Sequence, residues 1–421
     1  MAEHWKRSFN ALLVAEFLAI AGFQTSTPIL PLYLRDLGVT DPGSLNSWNG
    51  VINGFTSLAL ALVAPVWGSL ADSYGKKAML LRATIGGTIL LAAMAFVTSP
   101  WQLLVLKILQ GVVTGTVAAA TVLVATIVPP EEAGYRLGLF QVSVYLGSTF
   151  GPLLGGVISD VAGNRVNFLA TGVLLAIASF LILKFVREDL VSSPRKGSFL
   201  SRMVPDPGVL ATNPLLAALL FCVFAVQLGS GIANPILPLI VLHLNAGAAG
   251  TGSLTGLIIG AGSLSGALAA AFIGRISGRF GYRQTLVACL LGAVAFTVPQ
   301  GFASSPMLLL VLRIGSGAFL GGTIPSINAL LAHTADRDKQ GAIFGLSSSV
   351  SSGGMAIGPI LGALVANLAG YPAIFFTTAA ILFATALLMG RRGGFGDRLG
   401  QEVPRGKAST EAAPVDPAGC D

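Results

Sequence analysis

Twelve stretches of this chain are apolar over about the 20 residues that a helix needs to cross the hydrocarbon core of a bilayer. They run over residues 9–32, 48–69, 78–97, 101–126, 137–158, 167–186, 214–240, 251–273, 285–302, 307–331, 341–366 and 372–390. Lipid offers no partners to backbone polar groups, so runs of this kind fold as helices that satisfy themselves. With 53% hydrophobic and 10% charged residues among 421, the chain lacks the polar surface of a soluble domain, which carries about 25% charged residues. Mean hydropathy of +0.79 agrees. Soluble enzymes, disordered proteins and disulfide-built secreted domains are thereby excluded. Cys222, Cys289 and Cys420 are too few and too scattered for a disulfide framework or a zinc site. His4, Lys6 and Arg7 precede a first run too long and polar-interrupted for a cleavable signal, so that span is expected to stay in the mature protein.

The net charge of +7 is a topology signal. No basic stripe with interleaved aromatics occurs, and no nucleic-acid partner is expected. An even number of spans puts both termini on one side. Of 25 Lys and Arg residues, Arg35 and Arg165 fall in loops on the other side, Lys107 and Arg313 inside spans, and the rest on the terminal side or its edge. The termini are therefore expected in the cytoplasm. Residues 1–190 read as one six-helix bundle, 191–212 as a cytoplasmic linker, 213–392 as a second bundle and 393–421 as a disordered cytoplasmic tail.

The two bundles repeat each other. Thr27-Pro28-Ile29-Leu30-Pro31-Leu32 recurs as Asn234-Pro235-Ile236-Leu237-Pro238-Leu239. Gly68 to Gly75 recurs as Gly274 to Gly281, and Ser99-Pro100 with Lys107 recurs as Ser305-Pro306 with Arg313. Gly151-Pro152 and Gly155 recur as Gly358-Pro359 and Gly362. Four anchors in order at one nearly constant offset imply a parallel duplication about an axis along the membrane normal, with a shared central cavity. The fold expected is an all-α membrane protein of twelve transmembrane helices in two pseudo-symmetric six-helix bundles.

Between spans two and three, Gly68-Ser69-Leu70-Ala71-Asp72-Ser73-Tyr74-Gly75-Lys76-Lys77 resembles the signature loop of the major facilitator superfamily. Gly147, Gly151, Pro152, Gly155 and Gly156 of span five resemble the antiporter motif of the superfamily's twelve-span drug–proton exporters. Lys107, Gln110 and Gly111 of span four are similar to a third motif, in which Arg is usual at the position of Lys107. The resemblance covers the chain to about Arg392. It implies the major facilitator fold, multidrug efflux by proton antiport, a small-molecule substrate and the bacterial inner membrane. No cofactor or metal is implied, and a monomer is expected. Within the loop, Gly68 and Gly75 are expected to allow a tight turn. The resemblance implies that Asp72, with Lys76 and Lys77, latches the halves on the cytoplasmic side, near the start of span eleven; a solvated turn is the other reading. Gly147, Gly151 and Gly155 line one helix face and admit another backbone, and Pro152 bends the helix nearby.

Of 18 Asp and Glu residues, Glu16 alone lies well inside a span. A charged Asp at a helix centre costs about 2.5–3.5 kcal/mol on the insertion scale, so an acid at such depth is suited to binding and releasing a proton. Against this, Glu16 is close enough to the terminal side to reach water. Phe23, Gln24 and Thr27 lie on or beside the same helix face, which suits either a pocket for amphiphiles or a packed face. In the repeat Glu16 is matched by Val223. Lys107 stands level with Gln24 and needs an acceptor, with Gln24, Gln110 or a substrate carbonyl as candidates; Arg313 has no nearby acid, and snorkelling outward is the alternative for both cations. Arg313 is also a candidate pocket contact, and position alone suggests Tyr145, Gln227 and Asn328 as others.

No enzyme chemistry is legible. His4, His243 and His333 lack metalloprotease spacing, and neither a nucleophile elbow nor a Walker loop occurs. Proton-driven efflux is the leading expectation. Transport of a single metabolite, such as a sugar or organic acid, and a non-transporting membrane receptor are the alternatives.

Overall fold

The computed structural model describes residues 2–188, 214–245, 248–334 and 340–391. The expected linker, 191–212, and tail, 393–421, lie outside them. The described residues form helices α1 (Ala2–Asp36), α2 (Pro42–Tyr74), α3 (Lys76–Met94), α4 (Pro100–Val113), α5 (Thr116–Ile127), α6 (Pro130–Ala162) and α7 (Asn164–Phe185). The second half supplies α8 (Pro214–Leu244), α9 (Thr251–Phe280), α10 (Tyr282–Gln300), α11 (Pro306–Thr334) and α12 (Gln340–Arg391). Ten of these are long and apolar enough to cross a membrane. α12 makes two crossings because it folds back at Gly370 (φ 79°, ψ 175°), while α4 and α5 are two pieces of one crossing. Twelve crossings result, as the hydropathy predicts.

Two boundaries differ from the sequence reading. Span four, expected unbroken over 101–126, is interrupted at Thr114-Gly115, where Gly115 takes φ 121°. At the break Gln110 O accepts from both the N–H and Oγ1 of Thr114, each at 2.8 Å, and Trp67 Nε1 donates to Val112 O at 2.6 Å. The signature loop is also tighter than expected. α2 runs on to Tyr74 and α3 begins at Lys76, so the turn is Gly75 alone, at φ 93°. Gly68 is an ordinary helical residue with open space beside it, not a turn former.

The duplication is visible in the backbone. Gly75 between α2 and α3 is matched by Gly281 (φ 89°) between α9 and α10. Gly163 (φ 91°) between α6 and α7 is matched by Gly370 (φ 79°) within α12. A residue with a Cβ is strained at such φ, so glycine marks each abrupt reversal.

Within the first half α1 packs on α6 and α7, α2 on α4, and α3 on α7; α8 on α12, α9 on α11 and α10 on α12 repeat the scheme. The halves meet along α6–α9 and α2–α12. These seams are tight at the membrane face opposite the termini. A Cβ on Gly50 would strike Ala363 and Pro359 O, and one on Gly256 would strike Pro152 O. Toward the terminal face Gly68, Gly134, Gly138 and Gly345 have nothing beside them. The apolar core follows the same division. One cluster runs through the first half and takes in Ile232, Leu237, Val241, Ala363 and Phe375 from the far-face end of the second half. The terminal-face end of the second half, including Leu219, Leu290, Leu331 and Leu382, forms its own cluster. The molecule is closed at the far face and open at the terminal face.

Candidate functional site

Glu16 projects from α1 into the first bundle and is 2% exposed. Its carboxylate accepts a hydrogen bond from Thr116 Oγ1 at 2.9 Å. Thr116 is the first residue of α5, and the cap residue before it, Gly115, supplies no side-chain acceptor to the new helix. The break in span four therefore places a helix N-terminus, with its partial positive charge, beside a buried acid. A hydrogen bond to a charged group is worth about 1.5–3 kcal/mol, comparable to the insertion cost of the acid. Glu16 thus points at α5 and reaches neither bulk water nor lipid.

Lys107 of α4 is 7% exposed, and its Nζ donates to Ser26 Oγ at 3.1 Å. Neither protein acceptor expected from the sequence takes this role. Gln24 Oε1 is bonded to Thr27 Oγ1 at 3.1 Å, and Gln110 Oε1 is buried without a partner. Ser26 was missed because helix-face reasoning favours long polar side chains, whereas the acceptor is a short hydroxyl that the long Lys107 side chain reaches. Among the described residues neither Glu16 nor Lys107 forms a salt bridge.

Arg313 of α11, the repeat counterpart of Lys107, donates from Nη2 to Asn234 Oδ1 on α8. Beside it lies a small cavity of about 40 Å³ lined by Ser230, Asn234, Thr297 and Thr378 among others. Each cation thus bonds to a side chain of its own half, Lys107 buried and Arg313 partly exposed.

The pocket candidates disperse. Phe23 packs into the first bundle against Gly87 of α3 rather than into the space between the halves. Gln24 and Thr27 satisfy each other. Gln227 Nε2 donates to Ser351 Oγ at 2.9 Å, joining α8 to α12. Tyr145 on α6 and Asn328 on α11 are exposed.

The span-five motif divides between two partners. Gly147, Gly151 and Gly155 face α1, where a Cβ would strike Ile20, Ala21 O and Thr25 O respectively. Gly156 and the carbonyl of Pro152 face Gly252 and Gly256 of α9, in the other half. Gly354, Gly358 and Gly362 repeat the first arrangement against α8. The motif therefore builds both the bundle and the seam.

At the signature loop, Glu188 accepts from Lys76 N at 2.9 Å and Lys77 N at 2.7 Å, capping α3. Lys77 Nζ donates to Leu183 O and Val186 O at the end of α7, at 3.2 and 2.6 Å. These contacts stay within the first half and hold spans three and six together. The Asp72 side chain lies outside the described residues. Glu188, at the end of the first bundle, carries no motif in the sequence and was not singled out there.

The far-face seam is polar at its rim. Asp160 on α6 accepts from Gly252 N at 3.0 Å and Ser253 N at 2.7 Å on α9. Asn46 Nδ2 donates to Asn367 Oδ1 at 2.9 Å, and Asn49 Nδ2 donates to Pro235 O at 2.6 Å.

Twelve crossings in duplicated bundles, a buried acid, a buried lysine and a half-buried arginine suit a membrane carrier, and the comparisons agree. The family model described as Major Facilitator Superfamily matches residues 12–224 and 219–412. A relative named multidrug resistance protein MdtG, from Enterobacter lignolyticus (strain SCF1), is 32% identical over 387 residues, covering 92% of each chain. Among solved structures, a point mutant of the nucleoside transporter NupG superposes with TM-score 0.76 at 15% identity, covering 91% of this chain and 99% of its own. A bacterial homolog of the human lysosomal transporter Spinster, in an inward-facing and unoccupied conformation, gives TM-score 0.76 at 12% identity over 92% of this chain and 97% of its own. These two likenesses establish the fold. The sequence matches establish more: the chain belongs to the major facilitator superfamily and is a multi-pass membrane transporter of small molecules, not an enzyme.

Proposed function

We propose that the chain exports small lipophilic compounds from the bacterial cytoplasm in exchange for protons, with Glu16 as the group that carries the proton. The observation that carries this reading is the setting of Glu16. It is buried in the first bundle, bonded to a single hydroxyl, and set against the start of α5. An acid so placed exchanges its proton only when the surrounding helices admit water, which ties protonation to conformation. The relatives named multidrug resistance protein support lipophilic cargo. The inward bias of Lys and Arg puts both termini in the cytoplasm, so the opening at the terminal face is the cytoplasmic entrance. The protein acts as a monomer in the inner membrane. Asp72, on the last turn of α2, serves as the cytoplasmic latch when the molecule opens outward, and Lys107 tunes the first bundle through Ser26.

The test uses inverted vesicles carrying a preformed proton gradient. Adding a transported lipophilic compound partly collapses the gradient, and Glu16→Gln abolishes that collapse while compound binding persists. Wild-type export in Glu16→Gln removes Glu16 from the mechanism. A wild-type protein that binds compounds yet never moves protons favours the receptor reading, and gradient collapse by a sugar or organic acid alone favours a metabolite carrier.

A further inference from the structure

At the far face, α9 begins at Thr251 behind Gly250, whose φ of 81° turns the chain and which has no side chain to cap the helix. Helix N-termini leave backbone N–H groups without partners, and a cap residue normally accepts from the second or third of them. Here those donors, Gly252 N and Ser253 N, are taken by both oxygens of Asp160, at 3.0 and 2.7 Å. The cap comes from α6, in the other half of the molecule. Gly252 is required by this approach, because a Cβ there would meet Asp160 Oδ1 at 2.8 Å and Gly156 O at 2.9 Å.

The repeat supplies a partner device. Asp160 lies three residues before the reversing Gly163, and Asn367 lies three before the reversing Gly370. Asn367 sits at the far-face end of the first arm of α12 and grips the first turn of α2. It donates to Gly43 O at 3.2 Å and Ser47 Oγ at 3.0 Å, and accepts from Asn46. α2 has its own cap, Asp41, which accepts from Ser44 N at 2.7 Å. An amide therefore suffices on that side, whereas the uncapped α9 takes a carboxylate. Asp72 also lies three residues before a reversing glycine, Gly75, on the opposite face.

We infer that Asp160 is the far-face latch of the transport cycle, capping α9 across the seam while the molecule is closed there and releasing it when the far face opens, with Asn367 as its weaker twin. The inference rests on the transporter reading above, but its mechanics concern only which face is open. Asp160 and Asn367 are both exposed at the rim, so water replaces their partners on release and the latch opens without stranding a buried charge.

The experiment places Thr149→Cys, buried in the α6–α9 seam beside Gly260, in a background with Cys222, Cys289 and Cys420 replaced. A membrane-impermeant maleimide is applied to the far face of intact cells. Asp160→Ala raises the labelling rate about fivefold, the population change that loss of one helix-terminal carboxylate permits; Asp160→Glu restores protection and Asn367→Ala gives a smaller rise. A second reporter, Gly138→Cys near the terminal face, is labelled more slowly in inverted vesicles of Asp160→Ala. Unchanged labelling at Thr149→Cys overturns the latch, and so does faster labelling at both reporters, which marks general loosening. Opposite changes at the two faces without any drug export sustain the latch while refuting the efflux reading.

Discussion

The two halves of this protein share a helix plan but not a chemistry, and span four against span ten shows where they part. At the spacing that matches Lys107 to Arg313, Gly115-Thr116 is matched by Gly321-Gly322, with Thr323 one residue further on. In the first half the helix breaks there, and Thr116 turns its hydroxyl to Glu16. In the second half α11 runs unbroken through the matching glycines, and the neighbouring Thr323 Oγ1 bonds back to Leu320 O of its own helix at 2.6 Å. The difference tracks the residue opposite. Where α1 has Glu16, α8 has Val223. A buried acid needs a donor and a helix N-terminus, and a valine needs neither. Duplication thus preserved packing in both halves, while the break and its acid occur together in one.

Exchanging these features tests the comparison, and the largest effect belongs to the acid. Glu16→Gln lowers gradient-driven export to near background, a loss on the order of 5–150-fold for a typical coupling free energy, measured as fluorescent-substrate efflux. The reverse swap, Val223→Glu, puts a carboxyl where the facing helix is unbroken; thermal unfolding in detergent should report a loss of about 2.5–3.5 kcal/mol. Equal stability there would mean that the break is not what accommodates the acid. Thr116→Val, which strands Glu16, costs about 1.5–3 kcal/mol by the same assay and slows export. Ser26→Ala leaves the Lys107 ammonium short of an acceptor and costs about 1–3 kcal/mol. The smallest effect is Thr323→Val, about 0.5–1.5 kcal/mol, because its hydroxyl serves only a carbonyl already in a helical ladder.

Hydrophobic period and glycine placement made most of the fold legible. Spans, repeat and reversals at Gly75 and Gly281 follow from local rules about what lipid tolerates and which residue accepts positive φ. The site was legible by residue type more than by partner. Glu16 and Lys107 stood out because a charge inside a span is costly wherever it points. Their partners, Thr116 and Ser26, are commonplace membrane-helix residues with no signal of their own. Phe23 misled because a helix face fixes direction relative to its own axis, not which neighbour stands there.

By itself the sequence determined that this chain is a duplicated membrane bundle with one deep acid, because burial cost and backbone satisfaction act residue by residue. Only the tertiary structure decided that span four breaks at Gly115, that Asp160 caps a helix of the other half, and that the far face is the closed one. Those outcomes depend on which surfaces meet across long stretches of chain, 92 residues between Asp160 and Gly252 and 100 between Glu16 and Thr116, and no local propensity encodes such a meeting.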